Sequence, residues 1–327
     1  MRKPSILIPY PGACRDPGCQ DVFFYLRPET NGVRTESTLL RVVNRPEYSK
    51  RIAFVHLANI PGDFILANRI VEEHYALKIH FARHGTAGFT AHMRQVFSEY
   101  FNVPFEQARV VGAFEALRLL GRSEEDLFAE RVPESDFLRL NGQTVKRIAD
   151  LYVVNYDIPA LLHKNDVSTD IAVMIFRSTL PYAAFHAMVR EMEQALMQEQ
   201  ILGPEVPFSR AFHYSKGPFE QVLDAIGYLY DAGGAHVVLE DISFASYLMA
   251  QGMSRAEVLG AIRYPIMRFE VESQQVGNRQ HLEDDLLAYT YEDSYAEAFR
   301  KLQTAVLSWR MPCEDFRLSF EPFQRFD

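Results

Sequence analysis

Two stretches of this chain repeat each other at a drifting offset, and that repeat constrains the fold more than any other feature. Arg51-Ile-Ala-Phe-Val aligns with Asp170-Ile-Ala-Val-Met, 119 residues further on. Ala82-x-His84-x-Thr86-x-Gly88 aligns with Ala211-x-His213-x-Ser215-x-Gly217 at 129. Gly121-x-Ser123-x-x-Asp126 aligns with Gly252-x-Ser254-x-x-Glu257 at 131, and Arg131-x-Pro133-x-x-x-Phe137 with Arg263-x-Pro265-x-x-x-Phe269 at 132. An offset that grows in one direction is what duplication followed by small insertions leaves behind. Its largest step falls on residues 200–207, a loop bearing Pro and Gly.

Strand and helix patterns alternate through both copies. In the first, 52–57 reads as a buried strand, 64–77 as a helix, 78–82 as a strand, 89–101 as a helix and 108–112 as a strand. Residues 115–120 are helical up to Gly121, and Ser123-Glu-Glu-Asp126 opens the next helix as a capping box. In the second copy 171–176, 182–197, 209–212, 219–230 and 236–239 follow the same order. Residues 244–250 and a cap at Ser254 complete it. The expected fold is therefore α/β, with two tandem duplicated β-α-β-α-β units, each followed by a helical hairpin. An N-terminal segment precedes them: a strand at 5–9, then strands at 22–26 and 37–43 around a hairpin turn at Asn31-Gly32. Tails at 144–156 and 284–307 have a helical period, and 317–320 reads as a closing strand. The boundaries drawn are 1–50, 51–168, 169–300 and 301–327. Ile52, Phe54, Ile79, Val110, Ile171, Val173, Ile175 and Val238 are the expected buried strand residues.

Composition narrows the class without naming an activity. Of 327 residues, 48% are hydrophobic and 24% charged, enough apolar content to offset ordering entropy. No run approaches ~18 consecutive apolar residues, so no membrane partner is expected. Met1-Arg2-Lys3 imitates the start of a signal peptide, but Ile6-Leu7-Ile8 is too short for its apolar region and Pro4, Pro9 and Pro11 interrupt it. The reading is cytoplasmic. Three Cys, an odd number, fit that reading, and Cys14 and Cys19 lack a second pair to complete a zinc site. A net charge of −9 argues against a nucleic-acid partner, because there is no basic excess to release counterions. Within the cations, 27 Arg outnumber seven Lys, and Arg suits carboxylate and phosphate recognition.

The repeated motifs around His84 and His213 carry the candidate site. Each is expected to lie after a strand and before a helix, where ligands gather in α/β folds and where helix N–H groups attract anions. His84 and His213 are the candidate catalytic donors or acid–base groups. Arg83, Thr86, Gly88, Ser215 and Gly217 are the candidate ligand-binding residues, for a small anionic ligand bearing phosphate or carboxylate. The copies differ, since Arg83 precedes the first His and Phe212 the second, so the first copy is the expected anion clamp. Ser or Thr and Gly before a helix are also ordinary capping chemistry. A different class remains beside the ligand reading: a non-enzymatic scaffold or homo-oligomer whose pseudo-symmetric halves form a surface, for which 24 Phe and 16 Tyr supply material.

Arg83-His84-Gly85, placed between a strand and a helix, resembles the histidine phosphatase superfamily. The resemblance implies phosphoryl transfer with His84 as nucleophile, Arg83 as phosphate clamp and His213 standing for the second His. It covers about ten residues, and more than 80 precede the motif here, whereas in that family it follows the first strand. His74, His80, His84 and His92 are dense in sequence, yet no H-E-x-x-H pattern accompanies them and no metal is assigned.

Overall fold

The computed structural model describes residues 1–16, 18–203, 210–272 and 279–311. Among them are 14 α-helices and three β-sheets, a mixed α/β fold. The chain opens with β1 (Ser5–Ile8), β2 (Gln20–Leu26) and α1 (Val33–Val43), then β3 (Ile52–Ile60). Three short helices follow, α2 (Gly62–Ala67), α3 (Ile70–His74) and α4 (Ala76–His84), and then α5 (Ala91–Phe101). β4 (Val110–Gly112), α6 (Ala113–Leu120) and α7 (Glu124–Ala129) lead into β5 (Phe137–Leu140), β6 (Gln143–Ile148), β7 (Leu151–Val154) and α8 (Ile158–His163). The second half runs β8 (Ile171–Ser178), α9 (Tyr182–Gln198), β9 (Phe212–Tyr214), α10 (Pro218–Tyr228), α11 (Ser243–Ala250) and α12 (Arg255–Arg263). It continues through β10 (Ile266–Glu272), β11 (Arg279–Asp285), α13 (Leu286–Tyr289), α14 (Tyr295–Gln303) and β12 (Ala305–Ser308).

The largest sheet has the order β1-β3-β8-β2-β9, and every neighbouring pair in it is antiparallel. β8 is central, and its run Ile-Ala-Val-Met-Ile-Phe is buried throughout because both faces are covered. Side chains alternate across the sheet. Phe23, Tyr25, Val173 and Ile175 enter one core with α10 and α11, whereas Val22, Phe24, Met174 and Phe176 enter another with α1 and α9. A second sheet, β4-β7-β6-β5, separates two further cores, with Tyr152 and Val154 on one face and Leu151 and Val153 on the other. β10 joins β11 and β12 in an antiparallel third sheet.

The first sheet draws strands from both matched stretches and from residues before them, so the two stretches do not close as separate units. Their element orders also differ. Residues 78–82, expected as a strand, lie within α4, because Ile79 and Ala82, three apart, face one core while Phe81 faces another. The helix expected at 64–77 breaks into α2, α3 and the start of α4, with Arg69 in the left-handed region between the first two. Residues 236–239 contribute an isolated bridge, Tyr230 to His236, rather than a strand, and Val238 is 51% exposed. Ile79 is buried, though on a helix, and Phe54 and Val110 are half-buried. The other four, Ile52, Ile171, Val173 and Ile175, are buried strand positions.

Two Asn-Gly pairs reverse the expectation about hairpins. Asn31 does not turn a hairpin: its side chain donates to Asp170 O at 2.7 Å and accepts from Ala172 N at 2.9 Å, tying the chain to β8. Gly32, at φ +149°, then starts α1, whose buried Thr35, Thr38, Leu39 and Val42 follow helical spacing. Residues 37–43 are thus helix, not strand. Asn141-Gly142 forms the hairpin between β5 and β6, both residues at positive φ, in a stretch read as leading into a helical tail. That tail is β6 and β7, and the tail at 284–307 combines the end of β11, α13, α14 and β12. The closing strand expected at 317–320 lies outside the described residues, as does Ser209 at the start of the strand expected at 209–212.

Candidate functional site

A cavity of about 130 Å³ opens where the ends of β2, β8 and β9 meet the helices of the second sheet. Tyr25 comes from β2, Tyr75 from the junction of α3 and α4, and Tyr228 from the end of α10. Val71, Leu161 and Ile171 supply apolar wall, and Phe128 comes from α7. Three cations line it: Arg27, just past β2, Lys164, just past α8, and Arg210, just before β9. Glu29 and Asp157 are the carboxylates among the lining.

The tyrosines are tied to one another and to Arg27. The Tyr25 and Tyr75 hydroxyls lie 3.0 Å apart, and Arg27 donates to the Tyr75 oxygen at 3.5 Å. The Arg27 guanidinium also stands 5.3 Å from the centre of the Tyr25 ring. Tyr25 stacks on Tyr228 at 4.6 Å and on His213 at 4.4 Å. Burial pushes the Tyr25 and Tyr228 hydroxyls well above the ordinary tyrosine range, so both stay protonated as neutral hydrogen-bonding groups.

Behind Tyr25 lies a buried polar network built on Asp224 of α10. Its Oδ2 accepts from the Ser215 hydroxyl at 2.7 Å and lies 3.1 Å from His213 Nε2. Its Oδ1 lies 3.5 Å from His74 Nε2. Ser215 in turn accepts from the Phe23 N–H at 3.0 Å, linking the network to β2. Burial lowers His213 to about 3, against the pull of Glu220, and lowers His74 to about 4, against that of Asp224. Burial raises Asp224 to about 6, opposed by His74 and by the Ser215 hydrogen bond. At neutral pH both imidazoles are therefore neutral and the carboxylate is ionised, so the ring N–H and the hydroxyl donate to it. Ser215 donates directly to Asp224, with no imidazole between them, so His213 is not placed to take a proton from that hydroxyl.

The structure separates the two matched motifs. His213 lies within β9 itself, whereas Ser215 and Gly217 do stand between that strand and α10, Gly217 directly preceding the helix. A Cβ at Gly217 would come within 2.6 Å of Thr290 O, so close approach explains this glycine. The expected anion cradle there is already filled by the protein, because the Lys216 N–H donates to Glu220 at 2.6 Å. His84 and Arg83 instead end α4 and are exposed. No strand precedes them, so the strand-to-helix setting that Arg83-His84-Gly85 needs for its phosphatase resemblance does not exist. Nor does Thr86 cap the next helix, since Thr90 does so by accepting from Met93 N–H at 3.1 Å. Gly88 packs against Phe81, leaving 2.8 Å for a Cβ. His80 and His84 share one face of α4 with rings 4.8 Å apart, and among the described residues no three His, Cys, Asp or Glu side chains form a metal-binding group.

No protein-family model, no curated protein sequence and no solved structure matches this chain. Among the described residues no helix is long and apolar enough to cross a membrane. The lining residues went unread in the sequence although signals existed. Arg27 follows directly on the apolar run of β2, where a charge at the edge of buried apolar sequence needs a partner. Asp224 sits on a helix face with Gln221, Ala225 and Tyr228, all buried, where a carboxylate needs partners.

Proposed function

We propose that this chain binds a small organic ligand carrying a carboxylate or phosphate in the cavity between Tyr25, Tyr75 and Tyr228. The observation that carries the reading is the combination of one concave aromatic wall with three cations from distant parts of the chain. Such a cavity, mostly apolar with a few convergent polar groups, is the usual form of a small-molecule site. Arg27, Lys164 and Arg210 supply the charge, and the tyrosine hydroxyls supply orientation. His213 and Ser215 support the site from behind, holding Tyr25 through the stack and the bond to β2. Arg83, His84, Thr86 and Gly88 lie outside the cavity lining and have no part in this reading.

The test is a thermal-shift screen against small carboxylates and phosphate esters, followed by calorimetry on any hit. A ligand that binds only the native state raises Tm, by a stabilisation that grows as RT ln(1 + L/Kd), where L is the free ligand concentration. Arg210→Ala should weaken the hit about 10- to 100-fold, as expected for losing a charge-assisted contact. Tyr75→Phe should weaken it about 3- to 10-fold by removing one hydroxyl contact. A hit whose affinity survives both substitutions binds elsewhere and overturns the proposal.

A further inference from the structure

The pocket already contains an anion, and it belongs to the protein. Lys164 Nζ bonds Glu29 Oε1, and Arg210 NH1 lies 3.5 Å from the same oxygen. On their other side the two cations meet Glu125: Arg210 NH2 lies 2.8 Å from Oε2 and Lys164 Nζ 3.6 Å from Oε1. Two cations and two carboxylates therefore alternate around a closed ring. The cations are its inner members, with side chains 25% and 19% exposed for Lys164 and Arg210, against 33% for Glu29 and 45% for Glu125. Glu29 lines the cavity and Glu125 does not.

We infer that Glu29 is an internal stand-in for the ligand: its carboxylate holds the anion position, and a carboxylic acid entering the cavity displaces it from Lys164 and Arg210. This rests on the ligand-binding reading above and names the ligand class and the residue that sets its affinity. The point where two partly buried cations converge on one oxygen is where a second carboxylate gains most, and Glu29 fills it. Glu125 remains on the outer side as counter-charge, so the cations are not left bare when Glu29 leaves.

Displacement needs no backbone movement. Glu29 sits at the tip of a turn in which Thr30 N–H donates to Arg27 O at 3.0 Å. The same turn is anchored to Ala211 O by the Arg27 N–H at 3.0 Å and by the Thr30 hydroxyl. A fixed backbone with a long side chain at its tip lets the carboxylate swing to solvent by rotation alone. Partly exposed ion pairs are weak enough for a ligand to exchange them. The tyrosine and apolar walls select a flat body for the acid, and an aromatic ring meets that requirement.

Calorimetry with benzoate, phenylacetate and 3-phenylpropionate, and with benzyl alcohol as the uncharged comparison, tests this in the wild-type chain, Glu29→Gln, Glu29→Ala and Arg210→Ala. Both Glu29 variants should bind the acids about 3- to 10-fold more tightly and bind benzyl alcohol as the wild type does. Phenyl phosphate should gain less than the acids. Unchanged or weaker acid binding in the Glu29 variants, with Arg210→Ala still weakening it, overturns the stand-in and leaves the ligand site standing. Acid binding that is indifferent to Arg210→Ala, or absent from the wild type and both Glu29 variants, overturns both. Equal tightening of phenyl phosphate would replace the carboxylate assignment by a general anion site.

Discussion

Residues 82–88 and 211–217 share alanine, histidine, hydroxyl and glycine at the same spacing, yet the fold uses them in opposite ways. In the first, the chain is finishing α4, and Arg83 and His84 project from its last turn into solvent. In the second it is leaving β9, and His213 and Ser215 turn inward onto Asp224, the His213 side chain only 13% exposed. The difference lies in what each segment packs against. β9 pairs with β2 inside a sheet, so its side chains must alternate between two covered faces. α4 is buried by Ile79 and Ala82 against one core and by Phe81 against another, and its last two residues, Arg83 and His84, lie past those contacts and are exposed. A seven-residue spacing match is therefore compatible with a buried structural network and with a surface helix end.

The sharpest way to break that comparison is to remove the group the second segment depends on. Asp224→Ala leaves the His213 ring N–H and the Ser215 hydroxyl without their common acceptor and strips His74 of its neighbouring carboxylate. It should cost about 2–5 kcal/mol, at about 1–3 kcal/mol for each buried donor left unsatisfied. Urea or thermal unfolding measures it, and a cost under ~1 kcal/mol would mean the network is not cohesive.

Acid provides the next largest effect. His213 is lowered to about 3 and His74 to about 4 by burial, below an unfolded value near 6.5. The unfolded chain takes up protons that the folded chain refuses, so the stability these histidines contribute is complete above pH ~6.5 and is lost as pH falls toward the folded values. Each should cost roughly 3 kcal/mol by about pH 4.5, at ~1.4 kcal/mol per pH unit. Asp224, raised to about 6, works in the opposite sense between that value and its unfolded value near 3.8, because the folded chain there holds the extra proton. His213→Gln isolates the first contribution: the variant should be less stable than wild type at neutral pH, and the gap should close as pH falls. A gap independent of pH would contradict the buried neutral imidazole.

Smaller effects sharpen the contrast. Ser215→Ala removes a donor to Asp224 and the acceptor of Phe23 N–H, and should cost about 1–2 kcal/mol in the same unfolding experiment. Arg83→Ala and His84→Ala, at the exposed end of α4, should each stay within about 0.5 kcal/mol of wild type. A larger loss at either would give the first motif a structural weight that its exposure argues against.

Legibility followed the range of the interaction. The caps at Ser123 and Ser254 were readable because each needs only a residue three positions on: Asp126 N–H donates to Ser123 Oγ, and Glu257 completes a full box with Ser254. The amphipathic helix α9 and the continuous apolar run of β8 were readable for the same reason. Asn-Gly was not decisive, since one pair turns a hairpin and the other ties a side chain to β8. His213 and Ser215 stood out in the sequence, but their partners His74 and Asp224 come from two separate helices that no local spacing relates.

The sequence by itself determined the mixed α/β character, the caps and the strands or helices whose apolar period is long enough to be unambiguous, because those depend on neighbours within a few residues. Tertiary structure decided that 78–82 and 37–43 are helical, since a short apolar run is stable in either form and takes the one whose buried face finds a partner. It also decided the candidate site. Arg27, Lys164 and Arg210 meet around one cavity because three strand ends and the helices α3, α7, α8 and α10 pack there, and the energy that brings such distant charges together comes from burying the apolar surface beneath them.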